Sequence, residues 1–508
     1  MTGPGPDGPP TAPGGEQDGE ANVTAAPEHT GAPSVTGGSV ADGPATGGSA
    51  TGGSATGRPA TAGSATDGSA TGGSGARGEA AGREPSGKNL DLASRGKVIL
   101  DSILEGSSVM VTTLAIVAAI VVGGLLIAFT DPTVLQAWGN LFANPGNAFA
   151  QAWDAAAGAY SAMFEGAVVN PHTVAAMFQQ ASMSTALHDG YVSAVFSPLS
   201  ETCVRATPLI LAGLAVALPF RAGLFNIGGQ SQWIGGAMFA TWLGFGVSLP
   251  PFIHCVVCVL GGFVGGAVLG WVPGVLKART GAHEVIVTIM LNYVMAYLLA
   301  WLLGQNAPLA KPGTSNLVSP NIAGNAVLPH IAGPTLRVNA GFLIAIAAAV
   351  AVWWLLSRST VGFEFRAVGA NPSAARTAGM DVERTWVLVL LLAGGLAGLA
   401  GAAVIQGTDH YLTNQSFATY GIDAITVALL GRARPLGVVL AALLYGGLYA
   451  GGVQMQAVTQ TPASMTQVIQ ALIVLFVAAP AFVRAIFRLR GEKAAGGEGR
   501  TLAKGWGA

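Results

Sequence analysis

Runs of about 20 mostly apolar residues recur along this chain from residue 109 onward, and they limit what it can fold into more than any other feature. A helix of that length crosses the ~30 Å hydrocarbon core of a lipid bilayer. Charged residues make up only 10% of the sequence, whereas soluble domains usually carry about 25%. The sequence therefore predicts an all-α, polytopic membrane helix bundle.

We place about ten transmembrane helices along the chain. The first apolar run, residues 109–129, is too long for the core of a signal peptide, so we expect it to remain as an uncleaved helix. The segment 418–431 is short for a spanning helix, and a re-entrant segment is the alternative. The nine predicted spans after the first are 201–220, 231–249, 252–272, 285–303, 341–357, 386–406, 418–431, 435–452 and 466–483.

The basic residues between these spans indicate an orientation. Most of them fall on one side of the predicted topology: Arg221, Lys277, Arg279, Arg358, Arg366, Arg376, Arg384, Arg432 and Arg434. The other side carries Arg205, Lys311 and Arg337. The positive-inside rule makes the first side cytoplasmic. We therefore expect a multi-pass protein of the cell (plasma) membrane with both termini in the cytoplasm. Glu201 and Arg205, one helical turn apart, are expected to pair with each other.

Polar segments flank the transmembrane domain, which we assign to residues 89–490. Residues 1–88 are rich in Gly, Ala, Ser, Thr and Pro and carry almost no apolar surface, so we expect a disordered N-terminal tail. Residues 491–508 form a short C-terminal tail. Within the domain, residues 147–190 show two helical stripes that are not apolar all round. These stripes predict amphipathic helices at the outer interface or packed over the bundle.

Several functional classes are disfavoured. The net charge of −1 gives no indication of nucleic-acid binding. Cys255 and Cys258 have a CxxC spacing, but they lie in an apolar run without a second pair, so no metal site is predicted. No lysine follows the glycine spacing of a phosphate-binding Walker A loop. We therefore expect neither a bound cofactor nor ATP hydrolysis by this chain.

Two segments interrupt the helical pattern at membrane depth. One covers residues 218–230 and the other residues 420–435, and both contain Gly and Pro. Irregular backbone is tolerated there when it is buried in protein or lines an aqueous cavity. Paired interruptions of this kind are typical of a substrate path between two halves of a transporter. The alternative is that both are ordinary tight loops.

Polar side chains inside the bundle are few, and four of them are candidates for lining that path. They are Asn226, Gln230, Asn292 and Asp423. Amides both donate and accept hydrogen bonds, which suits a solute rich in hydroxyls or ring nitrogens. The alternative for each residue is a hydrogen bond to a neighbouring helix.

One loop has the residues of a short helix that contacts another protein. Pro372 suits the first turn of a helix, the residues from Ser373 to Ala378 form a small-residue surface, and Gly379 is placed to end the helix. Such a helix buries little surface by itself, so its natural use is to lie in the groove of a partner.

These residues resemble a known family. Ser373-Ala374-Ala375-x-x-x-Gly379 is similar to the Glu-Ala-Ala-x-x-x-Gly coupling loop of ABC import permeases, with serine in place of glutamate. The flanking residues from Ala367 to Pro372 and from Thr377 to Met380 resemble the branched-chain amino acid and simple-sugar branch. The nucleoside-import members are indicated by Gly223-Leu-Phe-Asn226-Ile-Gly228, Val287-Thr-Ile-Met-Leu-Asn292-Tyr293 and Ala428-Leu-Leu-Gly431-x-x-x-Pro435-Leu-Gly437. Residues 229–232 depart from the family pattern, in which a small residue and a glutamate more often precede the glutamine.

The resemblance implies a transport subunit rather than an enzyme. This permease would pair with a second, like or unlike, permease subunit, receive nucleosides from a substrate-binding lipoprotein, and be driven by a separate nucleotide-binding ATPase subunit. Residues 358–385 would be the cytoplasmic coupling loop, with Pro372, Ser373, Ala374, Ala375 and Gly379 contacting the ATPase.

Two other readings remain open at this stage. One is an importer of simple sugars in the same family. The other is an ion-coupled secondary transporter, which would favour several acidic or histidine residues in mid-membrane. Asp423 alone comes near that pattern. A non-transporting membrane anchor would leave the coupling loop without a purpose.

Overall fold

The computed structural model describes residues 108–179, 190–304, 307–415 and 420–478. Both predicted tails, 1–88 and 491–508, lie outside the described residues. Within the described ranges the chain is helical apart from connecting loops, and extended backbone pairs only at two isolated bridges, Val318 with Thr413 and His330 with Asn339. The prediction of an all-α helix bundle is confirmed.

Fifteen α-helices make up the described part of the chain, numbered here in order. They are α1 Ser108–Thr130, α2 Pro132–Gly139, α3 Pro145–Ala167, α4 Pro171–Gln179, α5 Tyr191–Arg221, α6 Gly229–Gly246, α7 Pro251–Thr280, α8 Glu284–Leu302, α9 Ala340–Arg358, α10 Thr360–Ala370, α11 Pro372–Thr377, α12 Val382–Val404, α13 Tyr420–Leu430, α14 Pro435–Thr459 and α15 Ala463–Ala478.

Among the described helices, seven are long and apolar enough to cross a bilayer: α1, α5, α7, α8, α9, α12 and α14. The three remaining predicted spans correspond to α6, α13 and α15. With 11 residues, α13 is about 16 Å long, roughly half the hydrocarbon thickness. Helix α13 alone therefore cannot cross the bilayer, which favours the re-entrant alternative for 418–431.

The amphipathic segment after α1 packs through its alanines. In α3 the buried residues are Ala148, Ala152, Ala159 and Ala162. Three aromatic residues of the same helix are exposed, Phe149, Trp153 and Phe164, and the Trp153 side chain is 75% exposed. The fourth, Tyr160, is partly buried against α1, and its hydroxyl donates to the Ile120 carbonyl at 2.6 Å. Small residues and Tyr160 thus form the packed face, and the other aromatic residues form the outer one.

Helices α7 and α12 pack very closely against each other. Gly262, Gly266 and Gly270 of α7 face Gly394 and Gly398 of α12, and a methyl group on Gly266 or on Gly398 would overlap backbone of the other helix. Small residues at four-residue spacing let helices approach closely in lipid, where packing replaces the hydrophobic effect. These glycines therefore allow α7 and α12 to pack backbone against backbone.

Four connecting segments, 222–228, 281–283, 359–381 and 431–434, meet at one end of the bundle. Gly223 packs on the main chain of Gly369, and Arg221 Nε donates to the Ala433 carbonyl at 2.9 Å. We call this the basic end, because the Arg and Lys residues that the sequence analysis assigns to the cytoplasmic side all lie at or beside it. The loop 307–339 and residues 405–415 lie at the opposite end.

Two expectations at the opposite end are wrong. Glu201 pairs with Arg337, whose Nη1 lies 3.0 and 3.2 Å from its carboxylate oxygens, and not with Arg205. The predicted start of the helix is also wrong, because α5 begins at Tyr191, ten residues before residue 201. Arg205 therefore lies in the middle of α5 and not in its first turns, about 24 Å from Arg221 at ~1.5 Å per residue.

Candidate functional site

The structure brings the two interrupted segments together. The main chain at Gly421 packs against Gln230, where an added Cβ would lie 2.8 Å from that of Gln230. Beside this contact the rings of Trp233 and Tyr420 stack with centroids 6.0 Å apart. The first turn of α6 thus meets the first turn of α13 inside the bundle. We call residues 229–233 and 420–423 the helix junction.

The second interrupted segment is more regular than the sequence predicts. Residues 420–430 are helical, and the irregular backbone is confined to residues 431–434. There Arg432 and Ala433 have positive φ values of 53° and 49°, a conformation that non-glycine residues adopt at a cost. The Arg221 side chain donates to the carbonyls of both residues, which stabilises this turn at the basic end.

Asn226 is buried and uses its whole amide within the chain. Its Nδ2 donates to the Ala215 carbonyl at 3.2 Å and to Gln232 Oε1 at 2.9 Å. Its Oδ1 accepts from Gly228 N at 3.1 Å and from Gln232 Nε2 at 3.0 Å. The side chain therefore fixes the loop 222–228 against α5 and α6. In this conformation it is not open to a solute, and the hydrogen-bonding alternative describes it better.

Asn292 of α8 supplies a cap that α6 lacks. The residue before α6 is Gly228, which has no side chain to satisfy the first backbone N–H groups of the helix. Asn292 Oδ1 accepts from Ser231 N at 2.9 Å, and its Nδ2 donates to the Ile227 carbonyl at 3.0 Å. Gln230 is half-buried, and its amide takes no part in these bonds. Of the three amides, Gln230 is the one least committed to the fold.

Asp423 lies on the other side of the junction. One of its carboxylate oxygens accepts a hydrogen bond from the Tyr449 hydroxyl of α14 at 2.8 Å. Its place in the first turn of α13 is favourable for a negative charge, because the positive ends of the backbone amide dipoles point toward the start of a helix. The junction thus brings all four predicted residues into one region. That they line a solute path stays a prediction.

A polar cavity of about 80 Å³ lies next to the junction, on the side that faces away from the basic end. Tyr420 belongs to both the junction and the cavity. The charged and polar side chains that line it come from α5, α13, the end of α12 and the loop before α9: Arg205, Thr207, Arg337, Asn339, Thr408, Asp409 and Tyr420.

Charges gather around the Tyr420 hydroxyl. Arg205, Asp409 and Asp423 all lie within electrostatic range of it. An arginine at hydrocarbon depth is costly, and such residues usually face a cavity and serve function. Sequence reasoning missed this cluster because it paired Arg205 with Glu201, and because Asp409 lies beyond the end of the predicted span 386–406.

A π-helical turn shapes one wall of the cavity. It covers Ile405–Asp409 at the end of α12, and the next residue, His410, has a φ of 61°. The turn is held by Asn339 Nδ2, which donates to the Gly407 carbonyl at 3.0 Å, and by Gln406 Nε2, which donates to the Ala326 carbonyl at 2.8 Å. Single π turns occur mostly at functional sites, and this one presents Thr408 and Asp409 to the cavity.

At the basic end, the predicted short helix is present as α11, Pro372–Thr377. Asn371 caps its start, with Oδ1 accepting from Ala374 N at 3.1 Å. Gly379 follows its end with a φ of 86°, and Met380 N donates back to the Ala375 carbonyl at 3.0 Å, as in a Schellman motif. The predicted start and stop of the helix are confirmed.

Only one residue of α11 is buried. Ala375 packs against Val368 of α10 and Val382 of α12, and Trp386 lies partly buried beside them. The side chains of Pro372, Ser373 and Ala374, like the rest of the helix, are exposed. Helix α11 therefore presents a small-residue surface at the basic end.

The sequence has well-defined relatives. Residues 199–478 match the family described as the permease component of the branched-chain amino acid transport system. A guanosine ABC transporter permease of Bacillus subtilis is 37% identical over 308 residues, 60% of this chain and 88% of the relative. A glucose ABC transporter permease of Haloferax volcanii is 38% identical over 56% of this chain and 77% of the relative.

A nucleoside ABC transporter permease of Lactococcus lactis is 34% identical over 57% of this chain and 82% of the relative. No solved structure matches the chain. The matched region contains the helix junction, the cavity and α11.

Proposed function

This chain belongs to the family of branched-chain amino acid transport system permease components, and we propose that it is the subunit through which an ATP-driven importer passes nucleosides across the cell membrane. The observation that carries the substrate assignment is the similarity to guanosine and nucleoside permeases over most of their length. The cavity supports it, because a polar, partly charged space lies where the two helix starts meet.

The chemistry of the cavity fits a nucleoside. Tyr420, stacked on Trp233, offers an aromatic surface of the kind on which a base can stack. Arg205 supplies donors and Asp409 acceptors for ribose hydroxyls and ring nitrogens. At about 80 Å³ the cavity is smaller than the ~300–1,000 Å³ of typical ligand pockets. Passage of a nucleoside therefore requires the helices around it to move.

A sugar importer is the second candidate. The glucose permease of Haloferax volcanii is as similar to this chain as the guanosine permease is. A sugar would use the same hydroxyl-binding groups, but it has no aromatic ring to place on Tyr420. The aromatic pair at the junction favours nucleosides.

Competition in uptake tests this choice. We expect vesicles that contain the complete importer to transport labelled guanosine when ATP is supplied on the side of the membrane that corresponds to the cytoplasm. Unlabelled ribonucleosides should compete, whereas glucose should not, because glucose has no base to stack on Tyr420. Glucose uptake that guanosine does not inhibit would establish the sugar importer. Uptake driven by an ion gradient without ATP would establish a secondary transporter.

The basic end is the cytoplasmic face in this proposal, and both termini lie in the cytoplasm. We further propose that α11 contacts an ATPase subunit there, and that a second permease and a substrate-binding lipoprotein complete the importer. The excess of Arg and Lys at this end supports the orientation, and the exposed surface of α11 supports the contact.

Cysteine labelling tests the orientation. Ser315, in the loop at the opposite end, and Ser373, in α11, are both exposed. In a chain without native cysteines, we expect an impermeant thiol reagent added to intact cells to label Ser315→Cys but not Ser373→Cys. Permeabilised cells provide the control, because both positions should then react. Labelling of Ser373→Cys in intact cells would reverse the orientation.

A further inference from the structure

A continuous set of contacts runs from α11 to the helix junction through a buried ion pair. The pair joins Lys277, near the end of α7, to Glu284, the first residue of α8, with 2.7 Å between Nζ and Oε2. The side chains are 19% and 8% exposed. An ion pair this buried is weak evidence of a purely stabilising role.

On one side, the pair contacts the segment that carries α11. Lys277 Nζ lies 4.9 Å from the centre of the Trp386 ring, within range of a cation–π interaction. Trp386 in turn packs beside Ala375 and Val382. Ala375 is the residue that anchors α11 to the bundle. A displacement of α11 would therefore reach Lys277 through one layer of packed side chains.

On the other side, the pair contacts the loop before α6. Glu284 Oε1, the oxygen not bound to Lys277, accepts from the backbone N–H of Phe225 at 3.5 Å. The next residue is Asn226, whose amide is bonded to Gln232 of α6. Glu284 thus lies between the lysine next to Trp386 and the loop that positions the junction.

We propose that Lys277 and Glu284 are positioning residues that transmit the movement of α11 to the loop 222–228 and thereby open or close the junction. The proposal rests on the proposed function, in which an ATPase subunit acts on α11. A transmitted change requires contacts that differ between two states. Lys277 contacts both Trp386 and Glu284, and the Glu284 carboxylate contacts both Lys277 and the Phe225 N–H. A movement of α11 would change how each of these two side chains divides its contacts between its partners.

The test uses the complete importer and a label in the loop. Phe225 is 38% exposed, and its contact with Glu284 is made by its backbone, so Phe225→Cys keeps that bond. We expect trapping of the ATP-bound state to change the labelling rate of Phe225→Cys about tenfold. The same treatment should leave the rate at Ser315→Cys, at the opposite end, within about twofold.

Three variants then examine the pair. Lys277→Met and Glu284→Gln should abolish the nucleotide-dependent change at position 225 and lower uptake per ATP hydrolysed about tenfold. ATPase retention should stay within about twofold. Lys277→Arg, which keeps both the charge and the contact with Trp386, should behave like the parent chain. A merely structural pair would lower retention, uptake and hydrolysis in parallel and leave their ratio unchanged.

Each possible result decides the question. A nucleotide-dependent change that persists in Lys277→Met and Glu284→Gln overturns the proposal. The labelling assay needs no transported solute, so it remains decisive if nucleosides prove not to be the substrate. Absence of any ATPase subunit from the purified complex would contradict the proposed function itself. It would also overturn the proposed role of Lys277 and Glu284, because no ATPase would then move α11.

Discussion

Replacing Thr377 by tryptophan is expected to detach the ATPase subunit and stop ATP-driven uptake while leaving the permease folded. Thr377 is the last residue of α11, and it is exposed. In the proposed complex this surface fills a groove in the ATPase subunit. Overfilling a packed contact costs about 1–3 kcal/mol, which corresponds to a roughly 5- to 150-fold weaker association. Co-purification of the ATPase subunit and ATP-dependent uptake would both measure the loss.

Thr280 provides a matched control for this experiment. It is also exposed, it is also the last residue of a helix at the basic end, and its hydroxyl donates to the carbonyl four residues earlier. Thr377 makes the same kind of bond, to the Ser373 carbonyl. Thr280→Trp should therefore leave association within about twofold. Equal losses from the two variants, or no loss from Thr377→Trp, would contradict the docking role of α11.

Gly379 is a poorer position for the same test. Its φ of 86° is strained for any residue with a side chain, whether or not a partner is bound. No atom lies within 4 Å of the place where a Cβ would be added. A bulky residue there would thus alter the helix end itself, and its effect would not distinguish a docked helix from a solvated loop.

Helix α11 could be predicted to its ends because every signal for it is local. A proline in the first turn and a glycine after the last turn are read directly from neighbouring residues. The apolar runs were equally readable, because their length and composition decide whether they can cross a bilayer. The boundaries of α5 and α7 were harder to predict, because both helices continue beyond their apolar runs.

The arrangement around the junction could not be predicted in the same way. The interrupted segments were identified from Gly and Pro, but the contact between Gln230 and Gly421 joins residues almost two hundred positions apart in the chain. Asn226 and Asn292 were identified as functional from their polarity alone. Their roles in fixing a loop and capping α6 depend on partners that only the packed bundle supplies.

The cavity shows why an exact helix start matters for function. A span that begins at residue 201 leaves Arg205 near the solvent, where pairing with Glu201 would satisfy it. Because α5 begins at Tyr191 and Glu201 binds Arg337 instead, Arg205 faces a buried polar space. Because Glu201 pairs with Arg337 and not with Arg205, Arg205 becomes a candidate for binding the transported solute.

Substituting Arg205 with methionine should therefore lower nucleoside uptake about 10- to 100-fold. A hydrogen bond to a charged group contributes about 1.5–3 kcal/mol, and each 1.4 kcal/mol corresponds to a factor of ten. Methionine is unbranched like the apolar stem of arginine and removes the charged guanidinium with its donors, so the helix should still insert and pack. Initial rates of guanosine uptake at low concentration would measure the effect, and co-purification of the ATPase subunit would verify assembly.

Arg337 is the matched control, because it lines the same cavity but is committed elsewhere. Its side chain is 56% exposed and bound to Glu201, and exposed ion pairs of this kind contribute about 0–1 kcal/mol. Arg337→Met should therefore reduce uptake by no more than about fivefold. If Arg205→Met transports guanosine normally, or if both variants lose uptake equally, the depth of Arg205 in the bundle has no bearing on substrate recognition. A loss specific to Arg205 with an intact complex would place the nucleoside in the cavity beside Tyr420.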